Sequence, residues 1–278
     1  MSFAQAALLS DGRLHLQHGP IDLICQAWGA PDAVRAGYRR AVRRFGTVLG
    51  ELVAELPVLR SEMGSTQGVI ARRMSAAVAP FRPAFITPMA AVAGSVAEEV
   101  LAALIGPGIA KAYVNNGGDI ALNLGPDESL VCAIAGGGVG RIAVHAQDKS
   151  RGIATSGWRG RSWSFGIADA VTVLARSAAM ADAAATMIAN AVDLPGHPAI
   201  TRHPACDLQA DTDLGSRMVT TEVGQLTFVE VRAALARGLA TAERFRARGL
   251  IEAAALFLQA EHLTTGALAL PEREKAHA

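Results

Sequence analysis

Three short segments in the middle of the chain decide how the rest of it is interpreted: NNGGDI at residues 115–120, ATSG at 154–157 and ADAAAT at 181–186. The first lies between two apolar stretches, and its paired glycines accept positive φ angles, which predicts a tight β-hairpin. The second is a turn of small residues with two hydroxyl groups. The third lies in a predicted helix, 178–191, where side chains four residues apart share a face. Each segment is common alone, so their order and spacing carry the information.

The two turns have alternative interpretations. Glycines after a strand let backbone N–H groups approach a pyrophosphate or a planar ring, but they also form ordinary tight hairpins. The hydroxyl turn is followed by Trp158 and Arg159, which are suited to flank a planar, anionic ligand. A polar turn with a packing tryptophan explains the same residues. The local sequence leaves both interpretations open at each turn.

Asp182 and Thr186 are four residues apart on the predicted helix, so both can offer oxygens to one cation. Mg²⁺ prefers carboxylate, hydroxyl, carbonyl and water oxygens and commonly leaves room for substrate phosphates. The alternative is structural, because an aspartate near a helix start often caps the helix and a helical threonine often bonds to a backbone carbonyl. Spacing alone favours the structural alternative.

Taken together, the three segments resemble the ApbE-like superfamily, whose best-known members are FAD:protein FMN transferases. The motifs that carry the resemblance are Asn-x-Gly-Gly-Asp-Ile, Ala-Thr-Ser-Gly and Ala-Asp-x-x-x-Thr, and it extends over about residues 85–192. It implies an α+β fold with antiparallel, T-fold-like sheets packed with helices. The implied activity is Mg²⁺-dependent transfer of FMN from FAD to a threonine hydroxyl of an acceptor protein, where the metal neutralises charge on phosphate oxygens.

The resemblance also implies the site residues. Asp182 and Thr186 would bind Mg²⁺ together with a backbone carbonyl from residues 91–94, and Asp182 and Asp169 are the candidate catalytic residues. FAD is the second implied cofactor. The candidate flavin-binding residues are Asn116, Gly117, Gly118, Asp119, Thr155, Ser156 and Gly157.

Two departures from the family pattern leave the activity open. The family's Ala-Lys-Gly is Val-Ala-Gly at residues 92–94, so a lysine expected near the flavin is absent. The family's His-x-x-Asp-Pro is replaced by residues 164–169, in which Asp169 holds the place of the aspartate. Three hypotheses remain: a flavin-binding, Mg²⁺-dependent transferase; a flavin- or small-ligand-binding protein that has lost transfer chemistry; or an assembly protein whose alanine-rich helices pair subunits.

Composition limits the other function classes. The chain has 278 residues, 51% of them apolar, which suffices for one large domain over 1–278 or for two closely packed lobes. A formal net charge of +1 gives no global attraction to nucleic acid or to an anionic membrane. A local exception is an arginine cluster, for which a solvated helix face is the first interpretation and a phosphate or partner contact the second. The cluster consists of Arg39, Arg40, Arg43 and Arg44.

Three features predict a cytoplasmic protein. Cys25, Cys132 and Cys206 are far apart and odd in number, which favours reduced, mostly buried thiols over disulfides or a zinc site. Residues 1–20 lack the pattern of a signal peptide or a lipidated leader. The apolar stretch 86–110 is interrupted by glutamates, glycines and a proline, so we expect no membrane span. The expected partners are a flavin nucleotide and an acceptor protein, with no nucleic acid and no membrane, in a monomer or a homodimer.

The hydrophobic pattern predicts alternating strands and helices along the chain. We expect residues 211–260 to be a C-terminal strand-helix-helix extension, and Gly136, Gly137, Gly138 and Gly140 to form a flexible hairpin tip rather than a nucleotide site. Predicted strands or hairpins cover 14–27, 112–115, 120–124, 130–134, 141–146, 152–155, 170–174 and 218–223, and predicted helices cover 31–56, 69–78, 95–104, 178–191, 228–246 and 250–259.

Overall fold

The computed structural model describes residues 3–134 and 140–268 of the chain. Its strands are β1 (Gln5–Leu8), β2 (Leu14–His18), β3 (Ile21–Gly29), β4 (Ile109–Asn116), β5 (Asp119–Leu124), β6 (Ser129–Ala133), β7 (Arg141–His145), β8 (Gly152–Ser156), β9 (Ala170–Ala175), β10 (Ile200–Pro204), β11 (Met218–Val223), β12 (Ala253–Leu258) and β13 (Glu261–Thr265). Its α-helices are α1 (Pro31–Ala54), α2 (Leu56–Leu59), α3 (Val69–Val78), α4 (Val92–Leu104), α5 (Ala178–Ala191), α6 (Ala205–Leu208) and α7 (Phe228–Ala247), and 3₁₀ turns occur at Ala79–Phe81 and Pro88–Ala91.

Nine of these strands form one sheet in the order β1-β2-β3-β4-β5-β8-β9-β12-β13. Every neighbouring pair in it is antiparallel. The strands β6 and β7 form a separate hairpin, and β10 pairs with β11. The structure therefore confirms the predicted α+β class with antiparallel sheets packed with helices.

Apolar clusters cover both faces of the large sheet. Along β12, Leu256 and Leu258 belong to the larger cluster, whereas the alternating Ala255 and Phe257 belong to the smaller one. The larger cluster also contains the buried sides of α1, α4, α5 and α7, and the smaller one contains side chains of the β6–β7 hairpin. Because both faces of the central strands are buried, these strands are continuous apolar runs rather than alternating ones.

Helices α4 and α5 meet at their N-terminal ends and cap each other. The Oδ2 atom of Asp182 in α5 accepts the N–H of Gly94 in α4 at 3.0 Å. In return, the Oε1 atom of Glu98 in α4 accepts the N–H of Ala179 in α5 at 2.8 Å. Each carboxylate satisfies a backbone donor that has no partner within its own helix, at the helix end that favours negative charge.

Most of the predicted elements are confirmed. The helices 69–78 and 178–191 and the strand 218–223 have the predicted bounds, and the ends of α1 and α7 lie within two residues of the predicted ones. The hydrophobic pattern missed the strands β1, β10 and β13 and the short helices α2 and α6. All four residues of β1 are exposed, so this edge strand has no buried side that could produce an alternating pattern.

The predicted helix over 250–259 is wrong. Ala253–Leu258 is the strand β12, whose six residues are all buried and which pairs with β9 and β13. A short apolar run that is buried on both faces has no period, so its pattern does not distinguish a strand from a helix. Residues 211–260 are consequently not a strand-helix-helix extension, because β12 is an inner strand of the main sheet.

The arginine cluster divides into two structural and two exposed side chains. Arg40 donates to backbone carbonyls at the end of α4, among them that of Leu104 at 2.8 Å. Arg44 forms ion pairs with Glu51 at 2.7 Å and Glu99 at 2.8 Å. The other two members of the cluster, Arg39 and Arg43, are exposed on α1. The solvated-face interpretation therefore describes only half of the cluster.

The three cysteines are free thiols, as the sequence predicts. Cys25 is buried in the larger apolar cluster, and burial raises the pKa of its thiol to about 12. Cys132 is half-buried and Cys206 is exposed, so the expectation of mostly buried thiols is wrong. Among the described helices, none combines the length and the apolar character needed to cross a membrane.

Candidate functional site

The candidate site begins at the hairpin between β4 and β5, which pairs Asn116 with Asp119. The φ angles of its turn glycines are 65° for Gly117 and 114° for Gly118, a region that other residues disfavour. The side-chain oxygen of Asn115 accepts the N–H of Gly118 at 2.8 Å and stabilises the turn. The predicted glycine-rich hairpin is confirmed.

A pocket of about 570 Å³ lies beside this turn, where β8 and β12 end. Its volume is within the range of small-molecule sites, roughly 300–1,000 Å³. Many of its walls are glycine or small polar residues, so a ligand can approach the backbone closely. The lining residues are Gly117, Gly118, Thr155, Ser156, Gly157, Arg159, Gly160, Asp169, Ala170, Phe257 and Gln259.

The structure brings most of the predicted site residues to this pocket. Asn116 and Asp119 do not line it, because their side chains are buried. Asn116 instead donates its Nδ2 to the carbonyl oxygen of Ala93 at 3.1 Å, which connects the hairpin to the start of α4. Six predicted residues form part of the lining: Gly117, Gly118, Thr155, Ser156, Gly157 and Asp169.

Asp119 and Asp182 are two carboxylates that share a water-poor region. Asp119 is 9% exposed, and its Oδ1 accepts the N–H of Thr155 at 3.2 Å. Burial raises the pKa of Asp119, although the Thr155 N–H and the positive charge of Arg161 oppose this shift. Burial and repulsion by Asp119 raise the pKa of Asp182 well above its usual range. Both effects disfavour two simultaneous negative charges at this place.

The donor atoms around Asp182 fit Mg²⁺ better than a softer metal. Thr186 lies one turn further along α5 and is half-buried. Within residues 3–134 and 140–268, no three His, Cys, Asp or Glu side chains come together as a metal-binding group. Two carboxylates completed by hydroxyl, carbonyl, water or phosphate oxygens form the donor set that Mg²⁺ prefers. The metal role of Asp182 and Thr186 stays a prediction.

Asp169 is held by three donors on the pocket wall. Its Oδ1 accepts the indole N–H of Trp158 at 3.1 Å and the Nε–H of Arg159 at 2.6 Å. Its Oδ2 accepts the backbone N–H of Gln259. These bonds join the loop after β8 to the turn after β12, which gives Asp169 a positioning function, and its catalytic role stays a prediction.

A family model described as "AbpE bacteria" matches residues 6–269 of the chain. The chain belongs to this family. The match covers most of the sequence, including the hairpin, the hydroxyl turn and α5. The resemblance to the ApbE-like superfamily, which rests on three short motifs, is thereby confirmed for the chain as a whole.

Archaeal proteins are among the relatives of this family member. A "UPF0280 protein" of Methanothrix thermoacetophila is 41% identical over 128 residues, which are 44% of this chain and 52% of the relative. A "UPF0280 protein" of Methanothermobacter thermautotrophicus is 42% identical over 133 residues, 46% of this chain and 50% of the relative. The matches therefore span about half the length of these relatives.

A solved structure also covers nearly all of this family member. It is described as "Crystal structure of Pseudomonas stutzeri flavinyl transferase ApbE, apo form", and the match covers 95% of both chains at 12% identity with a TM-score of 0.44.

Sequence reasoning missed five residues of the site, of which Gly160 and Ala170 are small lining residues of the pocket. Phe257 and Gln259 line the pocket, but they lie in the segment that was predicted as a helix. A strand assignment would have placed the end of β12 beside the other strand ends. Arg161 packs against Gly117, and only its position four residues after Gly157 was available as a signal. The glycine-rich segment at 136–138 lies outside the described residues.

Proposed function

We propose that this protein binds FAD, or a closely related flavin nucleotide, in the pocket and uses Mg²⁺ near Asp182 to transfer a nucleotidyl or flavin group. One observation carries the proposal. Thr155 lines the pocket, and its backbone N–H donates to the buried carboxylate of Asp119, which repels Asp182. A ligand in the pocket is thus one residue away from the buried carboxylate of Asp119, which interacts with the half-buried Asp182.

The pocket walls suit a flavin nucleotide. Gly117 and Gly118 carry no side chain, so a phosphate or the edge of a ring can approach the backbone of the turn closely, although the N–H of Gly118 is already donated to Asn115. Thr155 and Ser156 add hydroxyl groups, and that of Thr155 is oriented by a 2.9 Å hydrogen bond with Thr172. Phe257 contributes an apolar surface on the same wall.

The two acidic groups, Asp119 and Asp182, suit a divalent cation. The raised pKa values of Asp119 and Asp182 mean that ionising both without a counter-charge costs free energy. A cation held by Asp182 and Thr186 removes this cost, and when bound Mg²⁺ neutralises charge on phosphate oxygens. Asp182 keeps its contact with the N–H of Gly94, which orients the carboxylate.

A second candidate function is flavin binding without transfer. The observation that favours it concerns the carboxylate of Asp169. Its two oxygens already accept three hydrogen bonds from the surrounding wall. An aspartate in that state is poorly placed to take a proton from an acceptor hydroxyl. Position 93 is alanine where the family pattern has lysine, which also favours binding without transfer.

The test is calorimetric titration of the protein with FAD, FMN and ADP, each with and without Mg²⁺, followed by chromatography of the incubated FAD. We expect Mg²⁺ to strengthen FAD binding. With water as the acceptor in place of a protein hydroxyl, we expect the pyrophosphate bond to be cleaved and FMN and AMP to be released together. FAD binding without AMP supports the second candidate. If no flavin binds under any of these conditions, both candidates are wrong.

Asp182→Asn is the informative variant, because asparagine keeps an oxygen that accepts the Gly94 N–H but removes the charge. We expect it to fold and to lose the effect of Mg²⁺ on FAD binding, a change of about tenfold in Kd. Asp207→Asn, at an exposed position on α6, is the matched control. Unchanged Mg²⁺ dependence in Asp182→Asn would contradict the metal assignment.

A further inference from the structure

The loop between β8 and β9 carries two arginines beside the pocket. Its sequence at residues 157–163 is GWRGRSW. Gly157, Arg159 and Gly160 are lining residues of the pocket, and Arg161 follows directly. Both guanidinium groups are on exposed residues, so they are free to meet a ligand that enters from solvent.

Arg159 is oriented by its neighbours and keeps part of its hydrogen-bonding capacity. Its Nε–H is donated to Asp169 at 2.6 Å, and its guanidinium carbon lies 4.7 Å from the ring centre of Trp158. Its side chain nevertheless stays 62% exposed. In the described part of the chain, its two Nη groups have no acceptor, so the outer edge of the guanidinium remains available for a bidentate contact.

Arg161 packs directly on the turn of the glycine hairpin. A β-carbon built on Gly117 would lie 2.0 Å from its Nη2, so the guanidinium occupies the space that a side chain would fill. None of the described carboxylates is within ion-pair distance of Arg161. Its charge acts on Asp119 at longer range, where it lowers the pKa of that carboxyl against the effect of burial.

We propose that Arg159 and Arg161 form an anion subsite that selects ligands carrying a phosphate or pyrophosphate group over the uncharged flavin. The proposal deepens the proposed function and rests on it for the identity of the flavin, while the anion subsite itself does not require a flavin. The two guanidinium groups lie on one loop: Arg159 belongs to the pocket lining, and Arg161 lies against the turn glycine Gly117, which lines the same pocket.

Asp169 is the positioning residue of this subsite. By accepting the Nε–H of Arg159 it holds the guanidinium with its Nη edge away from the carboxylate. It also accepts from the backbone of Gln259, so the arginine is tied to a turn at the end of an inner strand. Loss of the Asp169 charge therefore frees Arg159 without removing it, and the effect on phosphate recognition is smaller than that of removing both arginines.

The experiment compares Kd values for FAD, FMN, riboflavin, ADP and inorganic pyrophosphate, each with and without Mg²⁺. The variants are Arg159→Ala, Arg161→Ala, the double variant and Asp169→Asn. Arg35→Ala on α1 is the control, because Arg35 is an exposed arginine in an ion pair with Asp32. Arg161→Lys tests whether charge alone suffices. Circular dichroism of each variant checks that the sheet is retained.

We expect each arginine-to-alanine change to weaken FMN, FAD and pyrophosphate binding by about tenfold and to leave riboflavin binding unchanged. The affinity for phosphorylated ligands should also fall with added salt in the wild type and much less in the double variant. Asp169→Asn should weaken the same ligands to a smaller extent, and Arg35→Ala should weaken none.

Three outcomes separate this inference from the proposed function. If riboflavin and FMN weaken equally in the double variant, the arginines only shape the wall and the inference is wrong. If pyrophosphate binds the wild type but not the double variant while no flavin binds, the anion subsite stands and the flavin assignment is wrong. If neither flavin nor pyrophosphate binds the wild type, both proposals are wrong.

Discussion

Asp182 shows how one residue satisfies two interpretations that the sequence presents as alternatives. Its Oδ2 accepts the N–H of Gly94, which is the structural function expected of an aspartate near helix ends. The same carboxylate is repelled by the buried Asp119, a situation that a cation would relieve. A carboxylate has two oxygens, so capping and metal binding are compatible at this position.

Glu230 carries a pH-dependent contribution to stability. It accepts a hydrogen bond from His197 at 2.9 Å and forms a capping box with Thr227 at the start of α7. The bonds from His197 and Thr227 lower its pKa from 4.5 to about 2. Between these two pH values the unfolded chain binds a proton that the native protein does not. The contribution is therefore complete above pH 4.5 and is lost as the pH falls toward 2.

We expect urea unfolding to reveal the pH-dependent contribution of Glu230 when the free energy of unfolding of the wild type is compared with that of Glu230→Gln. The difference in the free energy of unfolding should be constant above pH 4.5 and shrink below it. Glu222→Gln, at an exposed position on β11, should show no such trend. A difference that does not change with pH would mean that Glu230 contributes nothing through its charge.

The residues of the site were only partly predictable. The glycines and hydroxyls of the pocket were identified because their motifs are local. The pairing of Asp119 with Asp182, and the packing of Arg161 on Gly117, depend on segments that are far apart in the sequence. No local pattern carries that information.

At the scale of elements, the approach of α4 to α5 depends on Gly94. A β-carbon built there would lie 2.3 Å from the carbonyl oxygen of Ala178, which is backbone and cannot move aside cheaply. We expect Gly94→Ala to lower the free energy of unfolding by about 1–3 kcal/mol, because the helices must separate and their reciprocal caps lengthen. Urea denaturation monitored by circular dichroism measures this change.

Gly46→Ala is the matched control for that substitution. Gly46 lies inside α1, and a β-carbon built on it has no atom within 4 Å. Alanine favours the helix there, so the free energy of unfolding should rise by about 0.5–1 kcal/mol. Equal effects of the two substitutions would show that close packing is not the reason for glycine at position 94.

The strand β12 shows which secondary-structure elements the hydrophobic pattern cannot predict. Helices with one apolar face, such as α3, were predicted with their observed bounds because the period is visible in the sequence. Ala253–Leu258 has apolar residues on both faces, and its state is decided by hydrogen bonds to β9 and β13. Those partners are supplied by the fold and not by the segment itself.

At the scale of the whole molecule, β12 should be among the most stable parts of the protein. It is hydrogen-bonded on both sides and buried on both faces, whereas β1 is an exposed edge strand that pairs only with β2 among the described strands. We expect native-state hydrogen exchange to place β12 in the slowest class and β1 in a fast one. A β12 that exchanges independently of β9 would contradict its place in the sheet.

The sequence by itself determined the antiparallel α+β class, the glycine hairpin, the helices with a clear apolar face and the family, because these follow from local backbone preferences and short motifs. Only the tertiary structure decided that Ala253–Leu258 is an inner strand, that Asp119 and Asp182 interact, and that Arg161 rests on Gly117. Each of these depends on contacts between segments that are distant in the chain. Such contacts contribute to stability only after the sheet has assembled.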